Sequence, residues 1–199
     1  VADVRWAHLD GVAGYVFPGR ARLCAVREAR TGRWRDINRN GPEDPITRRW
    51  LTLWFGHGVD PQDADYAYLV APSASVRRTR ELAERPEAMI LCNTAALQAI
   101  WVPRLGLVAA NFWRPGRVGR VEVDAPCSLV MRGRGRELTV AVSDPTQLGT
   151  SLQVEIRRHG YRTWEADPTV EVRSVGPSIS FVVTTVRAAG GTHTVRFRR

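Results

Sequence analysis

Apolar and polar residues alternate in short runs along most of this chain, which is the pattern of half-buried β-strands. The longest such run covers residues 46–57, where leucine and phenylalanine alternate with threonine, tryptophan and glycine. Pro18-Gly19 is expected to end one strand and Asp60-Pro61 another, because both pairs favour turns. The alternation predicts strands at residues 4–9, 12–17, 21–29, 46–57, 64–70, 89–93, 96–102, 105–113, 127–132, 137–143, 152–156, 169–175, 179–186 and 192–197.

One stretch, near residues 73–84, has the three-to-four-residue spacing of a helix instead. Ser75 can accept a hydrogen bond from the first helical turn, and Pro86 follows the last turn. The residues that share one face of this helix are Val76, Thr79, Leu82 and Ala83. Short strands spaced roughly 8–12 residues apart, with one short helix, predict an all-β fold of antiparallel β-sandwiches.

The segment Arg114–Arg120 is the best candidate for a linker, because it combines a proline, two glycines and three arginines. With 199 residues the chain can hold one large β domain or two smaller ones. We therefore expect a first sandwich over residues 1–114 and a smaller one over residues 115–199. A chain of this length buries roughly 70% of its unfolded surface, so its core needs neither a disulfide nor a metal.

The charge of the chain bears on its partners. The net charge is +9, and all 29 basic residues are arginine. A basic surface attracts polyanions such as nucleic acids or acidic polysaccharides, and arginine binds carboxylates through two parallel hydrogen bonds. Arginine in place of lysine on solvated faces, as a GC-rich genome encodes it, explains the choice of residue equally well. Because the arginines are scattered and the aromatic residues follow the strand pattern, we disfavour nucleic acid as the partner.

Other residue types mainly exclude classes of site. The three cysteines, at positions 24, 92 and 127, lie in apolar stretches without a CxxC pair, which predicts buried free thiols. The four histidines lack metal-ligand spacing, and GxxxxGK[ST], GxGxxG, HExxH and GxSxG are absent, so we expect no metal and no cofactor. A calcium site among loop aspartates is conceivable but lacks the order of an EF-hand. No run approaches the roughly 20 apolar residues of a membrane helix, so we expect no membrane partner.

The loop that follows Thr31-Gly32 is the main candidate for ligand binding. Its residues Arg33, Trp34, Asn38 and Arg39 combine an indole ring with groups that bond carboxylates and hydroxyls. An indole face can stack on the apolar face of a pyranose, so the loop can form a sugar platform. Alternatively, the loop is an ordinary turn in which Trp34 packs into the core and asparagines stabilise the backbone.

Two other groups of aromatic residues favour packing over ligand binding. Trp50 and Trp54 alternate with leucine along one strand, which predicts side chains in a sandwich core. Tyr66 and Tyr68 are expected on one face of the next strand, where packing is again the simpler interpretation. His57 lies between glycines at the end of its strand, where a lone histidine is usually structural or incidental.

Several stretches, in order along the chain, resemble polysaccharide lyase family 8, which includes hyaluronate, chondroitin AC and xanthan lyases. They are GYVFP at 14–18, the run at 30–72 with its GRW turn and YAYLVAP ending, LGLVAANFW at 105–113 and SDPTQ at 143–147. The SDPTQ turn is structural in our interpretation, with the aspartate bonding a backbone N–H. In this family an aspartate is commoner where Gly56 stands, and this departure counts against a special role for His57.

The resemblance implies that the first sandwich is part of a supersandwich and the second is the family's C-terminal β domain. It also implies β-elimination on uronic-acid polysaccharides, with a tyrosine, a histidine and an asparagine supplied by a helical domain. No matching helical motif occurs here, so no catalytic residue is assigned and the chain alone is expected to be inactive. The implied partners are an acidic polysaccharide and a helical domain N-terminal in the same polypeptide, and the implied location is extracellular. A stand-alone carbohydrate-binding sandwich is the alternative.

Overall fold

The structure, a computed structural model, describes residues 2–199, and the side chains of all of these except residues 2, 20 and 21. Within this range the chain forms sixteen strands and one α-helix, which confirms the all-β expectation. It divides into two compact units, one ending at Pro86 (unit 1) and one beginning at Glu87 (unit 2). Each unit is described by itself below.

Unit 1 is a four-stranded antiparallel sheet with a helix on one face. Its central strand pairs with one strand along one edge and with two successive strands along the other edge. The pairing shows this because Val16 of the central strand faces Trp6 on one side and Leu69 on the other. The elements are β1 (Ala2–Leu9), β2 (Ala13–Gly32), β3 (Ile46–Phe55), β4 (Leu69–Pro72) and α1 (Val76–Glu84), with β2 at the centre and β3 and β4 on the same edge. Within the described residues β3 has a hydrogen-bonded strand only on its β2 side.

The continuous course of β2 contradicts the expectation that Pro18-Gly19 ends a strand. The pairing with β1 shifts there, because Val4 faces Ala21 whereas Trp6 faces Val16. The intervening residues of β2 form a bulge, in which Gly19 adopts the left-handed φ of 80°. Proline lacks an N–H group and is compatible with a bulge, so the ladder resumes beyond it. Pro18-Gly19 therefore marks an irregularity in the strand, as the sequence indicates, but this irregularity is a bulge and not the end of the strand.

The helix α1 covers one face of the unit 1 sheet, which confirms the helix predicted near residues 73–84. Its N-cap is Ser75, whose hydroxyl oxygen accepts the backbone N–H of Arg78 at 3.2 Å. The buried helix residues pack against Val16 of β2 and include Leu82 and Ala83. The opposite face of the sheet has its own small cluster, built from Phe17, Leu23 and the partly buried residues Val4, Ala7, Tyr15, Leu53 and Phe55.

A close approach between β2 and α1 depends on glycine. Gly14 is buried in β2 directly below Thr79, a helix residue with no exposed surface. A Cβ atom on Gly14 would lie 2.1 Å from the Thr79 hydroxyl oxygen, far inside van der Waals contact. The Thr79 hydroxyl itself donates to the Ser75 carbonyl at 2.9 Å. The absence of a side chain at Gly14 therefore sets the distance between helix and sheet.

Unit 2 is a two-layer β-sandwich. Its strands are β5 (Met89–Asn93), β6 (Leu97–Val102), β7 (Leu107–Phe112), β8 (Gly116–Val118), β9 (Val121–Val123), β10 (Cys127–Arg134), β11 (Glu137–Ser143), β12 (Ser151–Ile156), β13 (Thr163–Ala166), β14 (Val170–Ser174), β15 (Ile179–Thr184) and β16 (His193–Arg198). One antiparallel sheet has the order β13-β16-β11-β10-β7-β6-β5 and the other β14-β15-β12-β9-β8. Fully buried side chains of both sheets, such as Leu129 and Phe181, fill the space between them.

The compact units do not coincide with the domain boundary predicted at residue 114. Strand β7 pairs with β10 in the seven-stranded sheet, so residues on both sides of 114–120 belong to unit 2. The segment predicted as a linker carries the chain from one sheet of the sandwich to the other and contains the short strand β8. Glycine, proline and arginine mark a turn in either case, so composition alone does not distinguish a crossover from a linker.

Candidate functional site

The outer end of the β2–β3 hairpin carries the residues predicted to bind ligand. The two strands stay paired from Leu23 and Phe55 to Gly32 and Ile46, where the connecting loop begins. Near the end of the hairpin the hydroxyls of Thr31 and Thr47 lie 2.7 Å apart across the strands. The ladder therefore remains in register up to the loop and gives it a fixed base.

The loop folds back on itself and holds Trp34. This residue begins a short 3-10 helix, and its carbonyl accepts the backbone N–H of Asn38 at 2.8 Å. The N–H of Arg35 donates to the carbonyl of Pro42 at 3.2 Å. A Cβ atom on Gly41 would lie 2.9 Å from the Trp34 backbone, so only glycine allows this packing. These contacts fix the backbone of Trp34, a residue that is 55% exposed.

The loop and the end of the hairpin line an open cavity of about 510 Å³, which we call the tip cavity. Its walls combine two indole rings, three guanidinium groups, and the apolar side chains of Ile37 and Ile46. The aromatic and basic lining residues are Arg30, Arg33, Trp34, Arg48 and Trp50. The volume lies within the roughly 300–1,000 Å³ that is usual for ligand sites.

Two of the three arginines at the tip cavity are neutralised by neighbouring carboxylates. Arg30 forms an ion pair with Glu28, and the guanidinium of Arg33 lies 3.1 Å from Asp36. The guanidinium of Arg48 instead donates to the backbone carbonyl of Thr47 at 3.0 Å. Among residues 2–199 as described, no carboxylate lies within ion-pair distance of Arg48. The cavity thus carries a net positive charge at Arg48.

The structure brings together only part of the predicted site. Arg33 and Trp34 line the tip cavity, whereas Asn38 and Arg39 do not. The side-chain oxygen of Asn38 accepts the N–H of Asn40 at 3.1 Å, so this residue stabilises the loop. Sequence reasoning missed Arg30, Ile46, Arg48 and Trp50, which lie on the strands rather than in the loop. The strand register was the missing information, since it places Arg30 opposite Arg48 and Glu28 opposite Trp50.

The prediction that Trp50 and Trp54 lie in a core is wrong for the described chain. Trp50 is 53% exposed and Trp54 is 47% exposed. Both lie on the face of β3 that does not carry Leu53 and Phe55, because side chains alternate along a strand. Strand β3 therefore carries apolar side chains on both faces of the sheet. The alternation of leucine and tryptophan in the sequence does not show which of these faces is buried.

A second cavity, of about 590 Å³, lies against the opposite face of the same sheet. The rings of Phe55 and Tyr66 are 5.3 Å apart, and those of Tyr66 and Tyr68 are 6.4 Å apart. His57 joins this cluster, with its ring 6.2 Å from Phe55. The two tyrosines were expected within a strand at 64–70, but β4 begins only at Leu69. Their packing follows from ring stacking in a loop, not from strand alternation.

Matches to known proteins fall on both units. Residues 1–83 match the super-sandwich domain of polysaccharide lyase family 8, and residues 89–153 match its C-terminal beta-sandwich domain. The chain belongs to polysaccharide lyase family 8. Residues 84–88 of this family 8 chain lie between the two matches. They include Pro86, the last residue of unit 1.

Relatives of this family 8 chain are considerably longer than it is. A hyaluronate lyase of Thermasporomyces composti is 48% identical over 193 residues, which cover 96% of this chain and 25% of that protein. A xanthan lyase of Bacillus sp. (strain GL1) is 35% identical, with 96% and 22% covered. The solved structure of the Streptomyces coelicolor A3 chondroitin AC lyase in complex with chondroitin sulphate is 40% identical, with a TM-score of 0.87 and 100% and 26% covered. The chain spans about a quarter of the length of these relatives.

The SDPTQ turn of this family 8 chain is structural, as predicted. The Asp144 carboxylate is buried and accepts the Thr146 hydroxyl at 2.6 Å and the Gly149 N–H at 2.9 Å. Burial acts to raise the pKa of Asp144, but hydrogen bonds from Thr146 and from backbone N–H groups outweigh it and lower the pKa below its ordinary value. The charged form of Asp144 is therefore the one that the turn stabilises.

Three further observations concern metal ligands, membrane helices and a buried thiol. Within the described residues no group of three or more histidine, cysteine, aspartate or glutamate side chains is placed to hold a metal ion. No helix in the same residues is long and apolar enough to cross a membrane. The thiol of Cys127 is buried, and burial together with the negative charges of Asp124 and Asp144 raises its pKa to about 12.

Proposed function

We propose that this chain is the β part of a polysaccharide lyase that cleaves uronic-acid polysaccharides of the hyaluronan, chondroitin or xanthan type by β-elimination. Family membership supports this, because the relatives named above are hyaluronate, xanthan and chondroitin lyases. The partners in this proposal are an acidic polysaccharide and a helical domain of the same polypeptide. Substrates of this kind are extracellular polymers, so the enzyme acts outside the cell.

The proposed reaction divides the work between the two parts of the polypeptide. A base removes the proton at C5 of the uronate, an acid protonates the leaving glycosidic oxygen, and polar groups neutralise the carboxylate. The resemblance to the family assigns these groups to the helical domain. The β part braces that domain, lines one wall of the substrate cleft, and has no lyase activity by itself.

The observation that carries the cleft role is the tip cavity. Trp34 and Trp50 line the cavity and are about half exposed, and sugar rings stack on indole faces through their apolar C–H side. Arg48 adds a positive charge that suits a uronate carboxylate. Arg33 and Trp34 are the predicted residues that this arrangement uses directly. Asn38 and Arg39 would contribute by shaping the loop.

The test is the substitution Trp34→Ala in the full-length polypeptide. Lyase activity is measured as ultraviolet absorbance of the unsaturated uronate product, with circular dichroism to confirm folding. Trp164→Ala is the matched control, because Trp164 is also about half exposed, at 49%, but lies on β13 of unit 2. We expect lower kcat/KM for Trp34→Ala and unchanged kinetics for Trp164→Ala. Equal, wild-type activity of both variants would refute the cleft role.

A stand-alone polysaccharide-binding module is the second candidate, favoured by a tip cavity that lies entirely within this chain. It differs from the first proposal in one measurable respect. A binding module retains its full affinity for hyaluronan or chondroitin without any helical domain, and the full-length polypeptide then produces no unsaturated product. Cleavage by the full-length polypeptide would exclude this candidate.

A further inference from the structure

Arg48 differs from the other two arginines of the tip cavity in its partners. Arg30 and Arg33 each have a carboxylate of this chain beside them, from Glu28 and Asp36. The Asp36 carboxylate also accepts the backbone N–H of Arg33 at 3.2 Å, so this pair forms part of the loop structure. A ligand that bound Arg30 or Arg33 would have to compete with these carboxylates. Arg48 requires no such exchange.

A hydrogen bond orients the guanidinium of Arg48 but uses only one of its N–H donors. One nitrogen, Nη1, donates to the Thr47 carbonyl at 3.0 Å. A guanidinium has five N–H donors in a planar fork, so an edge remains for two parallel hydrogen bonds to an oxyanion. Arg48 and Trp50 are two residues apart in β3, so their side chains leave the same face about 7 Å apart. That spacing is comparable to one sugar residue of a chain.

We propose that Arg48 recognises the carboxylate of a uronate residue in the tip cavity, while Trp34 and Trp50 take the faces of the adjoining sugar rings. This inference rests on the proposed function, since it names the residue that binds the substrate carboxylate in the same wall of the cleft. The positive charge makes the cavity selective for acidic over neutral polysaccharide. A sulfate ester offers a similar oxyanion, and the choice of polymer below separates the two.

The neighbouring Arg49 provides a matched control. It follows Arg48 in β3 and pairs across the ladder with Ala29, so its side chain lies on the other face of the hairpin and does not line the tip cavity. Both side chains are exposed, and neither has an ion-pair partner within the described residues. Arg48→Ala and Arg49→Ala therefore remove the same charge from the same strand, and only one of them alters the cavity.

The experiment measures binding of the protein to hyaluronan oligosaccharides, which carry carboxylates and no sulfate, and to carboxyl-reduced hyaluronan. Calorimetric titrations compare the wild type with Arg48→Ala, Arg49→Ala, Arg48→Lys and Trp34→Ala. The wild type and Arg49→Ala should prefer the carboxylate form by at least roughly tenfold, which is the lower end of the range for a charge-assisted hydrogen bond. Arg48→Ala should lose this preference, and Arg48→Lys should retain only part of it, because an ammonium group is not a planar fork.

The outcomes separate the inference from the proposed function. Trp34→Ala should weaken binding of both polymers to a similar extent, since stacking does not depend on the carboxylate. If Trp34→Ala weakens binding but Arg48→Ala and Arg49→Ala behave alike, the inference about Arg48 is wrong and the cavity still binds sugar. If the wild type binds neither polymer, the cleft role itself fails, and the inference fails with it.

Discussion

Replacing Gly14 by alanine directly tests how the sheet of unit 1 carries its helix. Gly14 is buried in β2, and the nearest atoms all belong to Thr79 of α1. A new Cβ atom would lie 2.1 Å from the threonine Oγ1, 2.8 Å from Cγ2 and 2.9 Å from Cβ. Because even the Cβ of Thr79 is too close, no rotation of that side chain removes the overlap. The helix must move away from the sheet.

The size of the effect follows from two opposing contributions. Forcing an extra carbon into a packed core costs about 1–3 kcal/mol, and the upper end applies here because three atoms overlap. Alanine in place of glycine in a strand stabilises the fold by roughly 0.5–1 kcal/mol, because the unfolded chain has fewer conformations to lose. We expect a net loss of about 2 kcal/mol in the free energy of unfolding of unit 1. Thr79→Ala removes two of the three overlapping atoms, so Gly14→Ala should cost at least about 1 kcal/mol less in that background.

Urea unfolding, followed by intrinsic fluorescence, measures these differences, and amide hydrogen exchange of residues 76–84 localises them to α1. Gly32→Ala is the control, because Gly32 lies in the same strand and a Cβ there meets no atom within 4 Å. Its stability should stay within about 0.5 kcal/mol of the wild type. Equal unfolding midpoints for Gly14→Ala and Gly32→Ala would refute the reasoning. So would additive effects of Gly14→Ala and Thr79→Ala.

Three further predictions concern a cap, a buried acid and a buried thiol. Ser75→Ala removes the N-cap of α1 and should lower the stability of unit 1 by about 1 kcal/mol in the same urea experiment. Asp144→Asn should destabilise unit 2 at neutral pH, and the difference from wild type should shrink as the pH falls below the ordinary aspartate pKa. The reason is that a lowered pKa stabilises the fold above the ordinary aspartate pKa, and this contribution is lost as the pH falls through the folded value. A difference from wild type that does not change with pH would contradict this. Iodoacetamide at roughly pH 8 should label Cys24 and Cys92 before Cys127 in the folded protein, because the thiolate is the reactive form and the raised pKa of Cys127 keeps it protonated. Mass spectrometry of peptides measures the order of labelling. Rapid labelling of Cys127 would count against its burial.

The fold could be predicted from the sequence wherever a local pattern determines it. Central strands of unit 2, such as Glu137–Ser143, alternate between buried and more exposed residues because one face of each sheet is buried. The cap at Ser75 and the spacing of Leu82 determine the helix in the same local way. The boundary near Pro86 could not be predicted, because it depends on β7 pairing with β10 across the chain. Pairing partners are set by tertiary structure, and the composition of a turn does not contain them.

The candidate site shows the same division. The loop sequence identified Arg33 and Trp34, since loop residues of unusual chemistry stand out against their neighbours. Arg48 and Trp50 were hidden within a strand whose alternation is typical of a core. Knowing that they face the cavity requires the hairpin register and the exposure of both sides of the sheet. That no carboxylate of the described residues lies beside Arg48 is likewise a property of three-dimensional packing.

The unequal cores of the two units have a consequence for biosynthesis. The clusters of unit 1 are small, centred on Val16 and Phe17, whereas unit 2 has one large cluster between two sheets. Chains are made from the N-terminus at about 5–20 residues per second, so the unit with the thinner core leaves the ribosome first. During that interval β3 presents exposed tryptophans and an edge that has no strand partner among the described residues. Chaperone binding during translation should therefore concentrate on the first half of the chain.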